Sequence, residues 1–425
     1  MDSIPETNVA IVGAGLAGLT LALALHARSI PCSIYELRDP TVKTTGALML
    51  SPNALKVLDS LQVYDRIRSK GYNFTNIAFK NADEETTDLY PLGDEQQYGY
   101  KALRIYRQTL LEQLRAMLHA RSIPITYGKK FHQVLSASAT GVRFAFADGT
   151  SASASLLIGT DGIHSTVRKY VSPSTTPTYS GTLAITCAIP SSALQFPADK
   201  DYSVLPVAIH GTLGTFVLAP QDVDGSEVLA GTQKKYPEQP REEWDRLFAG
   251  KDKLLAMLSE DKSSWPSLVQ SALGAVPKET LSIWPYYTVP KLPCWSSSSH
   301  CNRVIILGDA AHAIPPTAGQ GASQAFEDAF SLALLLSKLL SSQLATSDLA
   351  AALGIWQTYR QERIDRVIAL TLKLNNTRLP KGERENLDQK MIWSSERDLG
   401  ELEWLYNHDI EAAVLRALGE AAGPR

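Results

Sequence analysis

Residues Asn8 to Glu36 constrain this chain more than any other stretch. Asn8-Val9-Ala10-Ile11-Val12 is a short apolar run suited to a strand buried on both faces. It leads directly into Gly13-Ala14-Gly15-Leu16-Ala17-Gly18, and from Leu16 to Ser29 the chain reads as a helix, apolar on nearly every side until His26. Pro31 ends that helix, and Cys32-Ser33-Ile34-Tyr35 forms a second strand closed by Glu36. Strand, GxGxxG turn, helix and strand in this order predict a βαβ unit of a parallel sheet at the N-terminus. Gly13 permits the tight turn, Gly15 lets backbone approach a pyrophosphate, and Gly18 lets the helix pack on the strand. The helix start offers free N–H groups and the positive end of its dipole to phosphates. Glu36 is placed to accept hydrogen bonds from ribose hydroxyls, and its charge disfavours a 2′-phosphate. Gly13, Ala14, Gly15, Leu16, Ala17 and Glu36 are therefore expected to hold FAD or NAD rather than NADP.

At 425 residues the chain is long enough for two or three structural units. A formal net charge of -3, with aromatic residues not interleaved with basic clusters, argues against nucleic acid as a partner. The longest apolar helical stretches, Leu19–Leu25 and Leu332–Leu340, are far short of the ~20 residues that cross a bilayer. Met1 to Thr7 lack the regions of a secretion signal. Cys32, Cys187, Cys294 and Cys301 form no CxxC pair, so no metal site is expected, and their usage fits a reducing, cytoplasmic setting. No obligate protein partner is evident.

Beyond the βαβ start, helices are expected at Ser51–Leu61, Arg107–His119, Arg241–Leu258, Ser323–Leu340 and Leu353–Thr371, with a helical tail from Asn386 to Leu418. Strands are expected around Asn76–Leu89, Leu103–Tyr106, Ile123–Tyr127, Val142–Phe146 and Leu156–Ile158, with a hairpin turn at Asp148-Gly149. From Tyr179 to Thr288 strand-like runs (Thr182–Ile189, Ser203–His210, Thr215–Leu218) dominate, as in an inserted sheet-rich domain. The fold class is α/β: a Rossmann-like dinucleotide domain with an inserted sheet-rich substrate domain and a C-terminal helical segment. The expected boundaries are 1–72, 99–178 and 289–350 for the first, 73–98 and 179–288 for the insert, and 351–425 for the C-terminal helices.

Two later motifs bear on the cofactor. Leu157-Ile158-Gly159-Thr160-Asp161-Gly162-Ile163-His164-Ser165-Thr166-Val167-Arg168 is a strand, a turn and a helix start. Val304-Ile305-Ile306-Leu307-Gly308-Asp309-Ala310-Ala311-His312-Ala313-Ile314-Pro315-Pro316-Thr317-Ala318-Gly319-Gln320-Gly321-Ala322 is a strand, a Gly-Asp turn, a loop and a helix start. The GxGxxG, Asp-Gly and Gly-Asp segments in this order resemble p-hydroxybenzoate hydroxylase-like flavoprotein monooxygenases, from about Asn8 to Thr371. The C-terminal texture is most similar to fungal secondary-metabolite members.

The resemblance implies FAD as the cofactor, with NADPH or NADH as a transient reductant that leaves after reducing it. It implies oxygen transfer from a flavin C4a-hydroperoxide to a small aromatic or heteroaromatic substrate, by hydroxylation or epoxidation. It further implies that Asp309 contacts the ribityl and pyrophosphate part of FAD and that Arg107 lies on FAD. Gly46 and Ala47 would run beside the isoalloxazine; Lys43, Thr44 and Thr45 stand where the family often has an arginine. Gly319, Gly321 and Ala322 would bring backbone N–H groups to the flavin ring. Asp161 is a cofactor candidate that could equally anchor its own turn. His164 and His312 lie inside structural motifs and read as structural. The insert should roof a dry pocket, with His210, Phe216, Trp284, Tyr286 and Tyr287 as candidate lining residues. Some phenol-oxidising relatives carry an arginine in the first insert strands; Leu183–Ile189 holds no basic residue, which favours a neutral substrate such as an indole. The alternative activity is a flavin-dependent oxidoreductase that inserts no oxygen.

Overall fold

The computed structural model describes residues 8–297, 301–341 and 346–421. Met1 to Thr7 lie outside this range. The N-terminal reading becomes the centre of a five-stranded parallel sheet, in the order Val304–Ile306, Leu156–Gly159, Val9–Val12, Cys32–Tyr35, Ile125–Thr126. The register pairs Val12 with both Gly159 and Tyr35, and Gly159 with Ile306. The strands therefore end level, and Gly13, Glu36, Thr160 and Gly308 emerge along one carboxyl edge, where ligands bind in open α/β sheets. All four residues of Val9–Val12 are buried, as expected of a strand covered by helices on both faces. The helix Leu16–His26 covers one face and packs on the long helix Gly321–Ser341.

A three-stranded antiparallel sheet of Phe131–Ala137, Val142–Phe146 and Ser151–Ala154 flanks this layer, turning at Gly149 with φ +83°. A second small sheet pairs Ala102–Tyr106 with Ala47–Leu50 on one side and Tyr72–Phe74 on the other. The stretch read as a compact turn at Gly46-Ala47 is thus a turn at Gly46 (φ +81°) that opens a strand.

The insert is a seven-stranded sheet, in the order Ser282–Thr288, Thr178–Pro190, Glu227–Lys235, Gly214–Pro220, Val207–Gly211, Asn76–Lys80, Thr86–Pro91. Its last two strands come from sequence far upstream of the others. One face buries Ile185, Cys187, Ile209, Phe216, Leu218 and Ala230 against helices between Arg241 and Gly274. The helix expected over Arg241–Leu258 is two helices, because Gly250 (φ -78°, ψ 65°) leaves helical geometry between them. The other face packs Ala208 and Val217 into a third apolar cluster with Phe74, Phe79, Ala318 and Leu374, which joins the insert to the dinucleotide domain.

The expected C-terminal helix Leu353–Thr371 lies within Thr346–Thr377. The expected helical tail is instead broken into short turns before Ile410–Ala421. Asp388 and Asp398 return their carboxylates to the N–H groups of Lys390 and Ser394, which offers the backbone an alternative to helix.

A wholly buried ionic cluster fastens these parts together. Glu327 and Asp328 sit at 0% exposure on an otherwise apolar stretch of Gly321–Ser341. Arg360, also at 0%, bridges both carboxylates, with Nε 2.7 Å from Asp328, and Arg363 forks onto Glu327 at 2.7 and 2.8 Å. Burial alone would raise both carboxyls. Arg363 and Arg360 outweigh it at Glu327, His312 and Arg360 outweigh it at Asp328, and both are held below the usual carboxylate range. Breaking one partner of such a cluster leaves uncompensated buried charge. Arg360→Ala is expected to destabilise the fold by about 3–5 kcal/mol. Chemical denaturation reads this directly, and a loss below about 1 kcal/mol would mean that water reaches and compensates the two carboxylates.

Candidate active site

The glycine turn has the geometry its sequence predicts. Gly13 has φ +108°, and a Cβ there would lie 2.7 Å from the Thr160 carbonyl oxygen, so the position accepts no side chain. A Cβ at Gly18 would lie 2.0 Å from the Gly13 carbonyl oxygen, which is the close contact of helix start and turn. Gly15 is exposed, with no atom within 4 Å of where its Cβ would be. The helix start beside it has no side-chain cap and no acidic residue in its first turn. An open cradle with free N–H groups is what a pyrophosphate needs.

Glu36 reaches back into this turn. Its Oε2 accepts from the Ala14 N–H at 2.6 Å, and its Oε1 from the Arg38 N–H at 2.7 Å. The carboxylate thus props the turn as well as standing at the strand end. Thr160 was missed by the sequence reading. Its hydroxyl donates to the carbonyls of Val12 and Gly13, each at 2.9 Å, and ties the Asp-Gly segment to the glycine turn. The Asp161 carboxylate accepts from the Ser165 hydroxyl and from the N–H groups of Thr166 and Val167, so it closes its own turn. Arg168 donates to the carbonyls of Ile163 and Ala310 and links that turn to the Gly-Asp segment.

The Gly-Asp segment arrives at the same edge. Gly308 (φ +60°) lies against the glycine-turn helix: a Cβ on it would be 3.4 Å from that of Ala17. Its N–H donates to Asp328 at 2.9 Å, and the His312 Nε2–H donates to the same carboxylate oxygen at 2.5 Å. His312 therefore belongs to the buried ionic cluster, as its structural reading implied. His164 is exposed and rests edge-on against Tyr287.

Asp309 opens to solvent, yet protein surrounds it closely enough that burial pushes its carboxyl up, while His312 and Arg107 pull it down. Burial lowers the Arg107 guanidinium and Asp309 raises it, so the two charges lie near each other. The Arg107 N–H donates to the Gly46 carbonyl at 3.0 Å, which fixes the Gly46–Ala47 turn beside it. Gly319 (φ +67°) meets Met49, at 3.8 Å from its potential Cβ, whereas Gly321 faces open space. Only Gly319 needs the left-handed backbone. A Cβ at Gly321 would meet nothing within 4 Å. Segments dispersed in sequence are thus neighbours: Glu36 meets the glycine turn, Gly308 meets Ala17, Arg107 meets Gly46 and Asp309, and Gly319 meets Met49.

The five expected lining residues divide by strand alternation. Phe216 is fully buried on the helical side of the insert sheet, 5.7 Å from the Trp265 ring, and does not line the cavity. Tyr287 turns to the same side as Tyr179 and Trp244. Trp284 is 55% exposed on the sheet's edge strand. Tyr286 and His210 lie on the other face, beside Arg378 of the C-terminal segment. Tyr286 accepts from Gln233 at 3.0 Å, and His210 bonds Thr215 at 2.7 Å and packs edge-on to Phe79. Burial, with Arg384 and Arg378, pushes His210 down to about 3, so its imidazole is neutral near pH 7. The sequence reading missed Met49, Tyr72, Val217 and Arg378, and a polar cluster of Arg104, Tyr106, Gln221 and Glu227 at the other end of the same face. That face runs for about 20 Å between its two polar ends, at roughly 3.3 Å per residue.

The FAD binding domain family matches residues 6–371 of the chain. The 6-hydroxynicotinate 3-monooxygenase of Bordetella bronchiseptica is 27% identical over 375 residues, covering 85% of this chain and 90% of that protein. The FAD-dependent monooxygenase penM of Penicillium crustosum is 28% identical, covering 85% and 76%. Among solved structures, a variant of HpxO from Klebsiella pneumoniae complexed with FAD superposes with a TM-score of 0.75 at 25% identity, covering 94% of this chain and 98% of that one.

Glu36→Ala removes both the turn's prop and its charged acceptor. FAD affinity is expected to fall about ten- to a hundredfold, the equivalent of roughly 1.5–3 kcal/mol for charge-assisted hydrogen bonds. Titration of the FAD-stripped protein measures this; unchanged affinity would mean that Glu36 serves the turn alone.

Proposed function

We propose that this chain, which belongs to the FAD binding domain family, binds FAD through its converging loops and oxidises a small aromatic or heteroaromatic substrate in the space beneath its insert sheet. It is an FAD-dependent monooxygenase, and the related enzymes are named for the same chemistry. The observation that carries the residue-level reading is the approach of the Gly13–Gly18 turn, Arg107 and the Gly308–Gly319 segment to one another. An open cradle at Gly15, uncapped helix N–H groups and a cation without a bonded carboxylate among the described residues all suit a dinucleotide diphosphate.

In this reading Gly13, Ala14, Gly15, Leu16 and Ala17 take the pyrophosphate, Glu36 the adenosine ribose, and Arg107 and Asp309 the ribityl-diphosphate stretch. Gly46, Ala47, Gly319, Gly321 and Ala322 flank the ring, and N–H groups at the start of Gly321–Ser341 offset negative charge on it. Asp161 serves this set by holding its turn. Bound FAD, reduced by NADPH or NADH, supplies the activation of O2 and the transfer of one oxygen atom. The chain's own task is position and dryness. Met49, Ile314, Ala318, Ala208 and Val217 form an apolar wall that excludes water from the reacting space. His210 is held neutral and suits hydrogen bonding rather than charge. The substrate belongs to secondary metabolism in this proposal, in line with penM, and the compartment is the cytoplasm, in line with four unpaired cysteines. No helix among the described residues is long and apolar enough to cross a membrane.

The purified protein is expected to be yellow and to oxidise NADPH or NADH in air. A substrate screen under 18O2 should yield a product carrying one labelled oxygen atom. Flavin-dependent turnover with a product two hydrogens lighter and unlabelled would instead identify an oxidoreductase without oxygen insertion.

A further inference from the structure

The small sheet that carries Gly46 and Ala47 also carries a buried cation with little to bind. Arg104 is 5% exposed. Its Nε has no hydrogen-bond partner, and its one side-chain bond is a long contact of 3.5 Å from Nη2 to Gln221 Oε1. The carboxylate of the same cluster is already engaged: Glu227 Oε1 accepts from the Tyr106 hydroxyl and, at 3.0 Å, from the Gln221 amide. Among the described residues no ion pair joins Glu227, or any other carboxylate, to Arg104. A buried guanidinium is costly unless paired, and most of this fork of donors is unused.

Register defines where Arg104 points. It stands opposite Met49 on one neighbouring strand and Tyr72 on the other, and cross-strand partners share a face. Leu103 and Ile105, on the opposite face, enter the core of the dinucleotide domain. Met49 touches the Gly319 loop, and Met49 and Tyr72 pack into the cluster beneath the insert sheet. Arg104 therefore faces the substrate space from the wall opposite the insert. The insert's own long strand has no basic residue from Leu183 to Ile189, so the cation comes from the other side. Burial pulls its pKa down to about 10, which leaves it charged at neutral pH.

We propose that Arg104 is a specificity-determining residue that binds the carboxylate or phenolate oxygen of an acidic aromatic substrate. The inference rests on the monooxygenase reading and deepens it. A planar guanidinium matches a carboxylate in two parallel bonds, and an arriving anion neutralises a charge that the fold leaves uncompensated. Gln221 touches the residue, and Glu227, which takes the Tyr106 hydroxyl and the Gln221 amide, does not compete for it.

The test compares wild-type holoenzyme with Arg104→Met, Arg104→Lys and Arg378→Met. Benzoate, salicylate and indole-2-carboxylate are titrated beside their carboxamides, and binding is read from the flavin absorption spectrum. In the wild type at least one acid should bind about tenfold or more tightly than its amide, the equivalent of about 1.4 kcal/mol. Arg104→Met should abolish that preference at unchanged FAD content, Arg104→Lys should keep part of it, and Arg378→Met should leave it intact. The proposal is overturned if no acid outbinds its amide in the wild type, if the preference survives Arg104→Met, or if Arg378→Met removes it. FAD content and 18O incorporation are measured on the same preparations. If both persist without an acid preference, this inference alone fails; if they are missing in the wild type, the monooxygenase reading fails and takes this inference with it.

Discussion

Two fully buried carboxylates on the helix Gly321–Ser341 set the conditions for the rest of this structure. Glu327 and Asp328 cannot be left charged in the interior without partners. Arg360 and Arg363 meet that demand from the C-terminal helix, and Asn53 adds a hydrogen bond to Glu327 from the segment after Gly46. The same Asp328 oxygen takes the Gly308 N–H and His312. One buried cluster thereby fixes the end of the parallel sheet, the Gly-Asp turn and the docking of the C-terminal helix. The positions of Asp309 and the Gly319–Ala322 loop depend on charges that never touch the cavity.

The proposed substrate space is bounded by sheets that belong to different parts of the chain. Its floor comes from the level ends of parallel strands, where backbone N–H groups and small residues are available. Its roof is one face of the insert sheet. Alternation then decides which side chains can meet a ligand: Val217 and Thr215 face inward, while Phe216 between them is core. The far end is sealed where the segment after the C-terminal helix crosses the insert's hairpin: Lys381 donates to the Thr212 carbonyl, and the Thr317 hydroxyl bonds Asn375.

The dinucleotide half was legible because its chemistry is local. Gly13, Gly15, Gly18 and Glu36 lie within one βαβ unit at fixed offsets, and Gly13 and Gly18 are required by backbone geometry. The turn at Gly46 and the loop at Gly319 were marked by glycines, and both have positive φ. Arg107 was found at a helix start after a strand. The substrate half was not legible in this way. Aromatic residues at Phe216 and Trp284–Tyr287 were all candidates, because a strand's period places neighbours on opposite faces without saying which face is lined. Arg104 lay two residues from Leu103–Tyr106's end and was passed over, since a single arginine in a strand carries no sign of whether a carboxylate awaits it. Glu327-Asp328 with Arg360 and Arg363 could have been noticed as charges on apolar helices, though their pairing spans two separate helices.

By itself the sequence determined a Rossmann-like α/β domain with an inserted sheet, the glycine turn and its acidic strand end, and the Gly-Asp segment that returns to it. These follow from hydrophobic period, from glycine's conformational freedom and from offsets of a few residues. Tertiary structure alone decided which face of the insert sheet packs on its helices and which joins the third apolar cluster, that Asp161 and His312 are engaged in holding their turns, and that Arg104 is buried with no carboxylate paired to it among the described residues. The physical reason is the same in each case. Burial and charge compensation depend on which strands and helices become neighbours, and those neighbours lie tens to hundreds of residues apart in the chain.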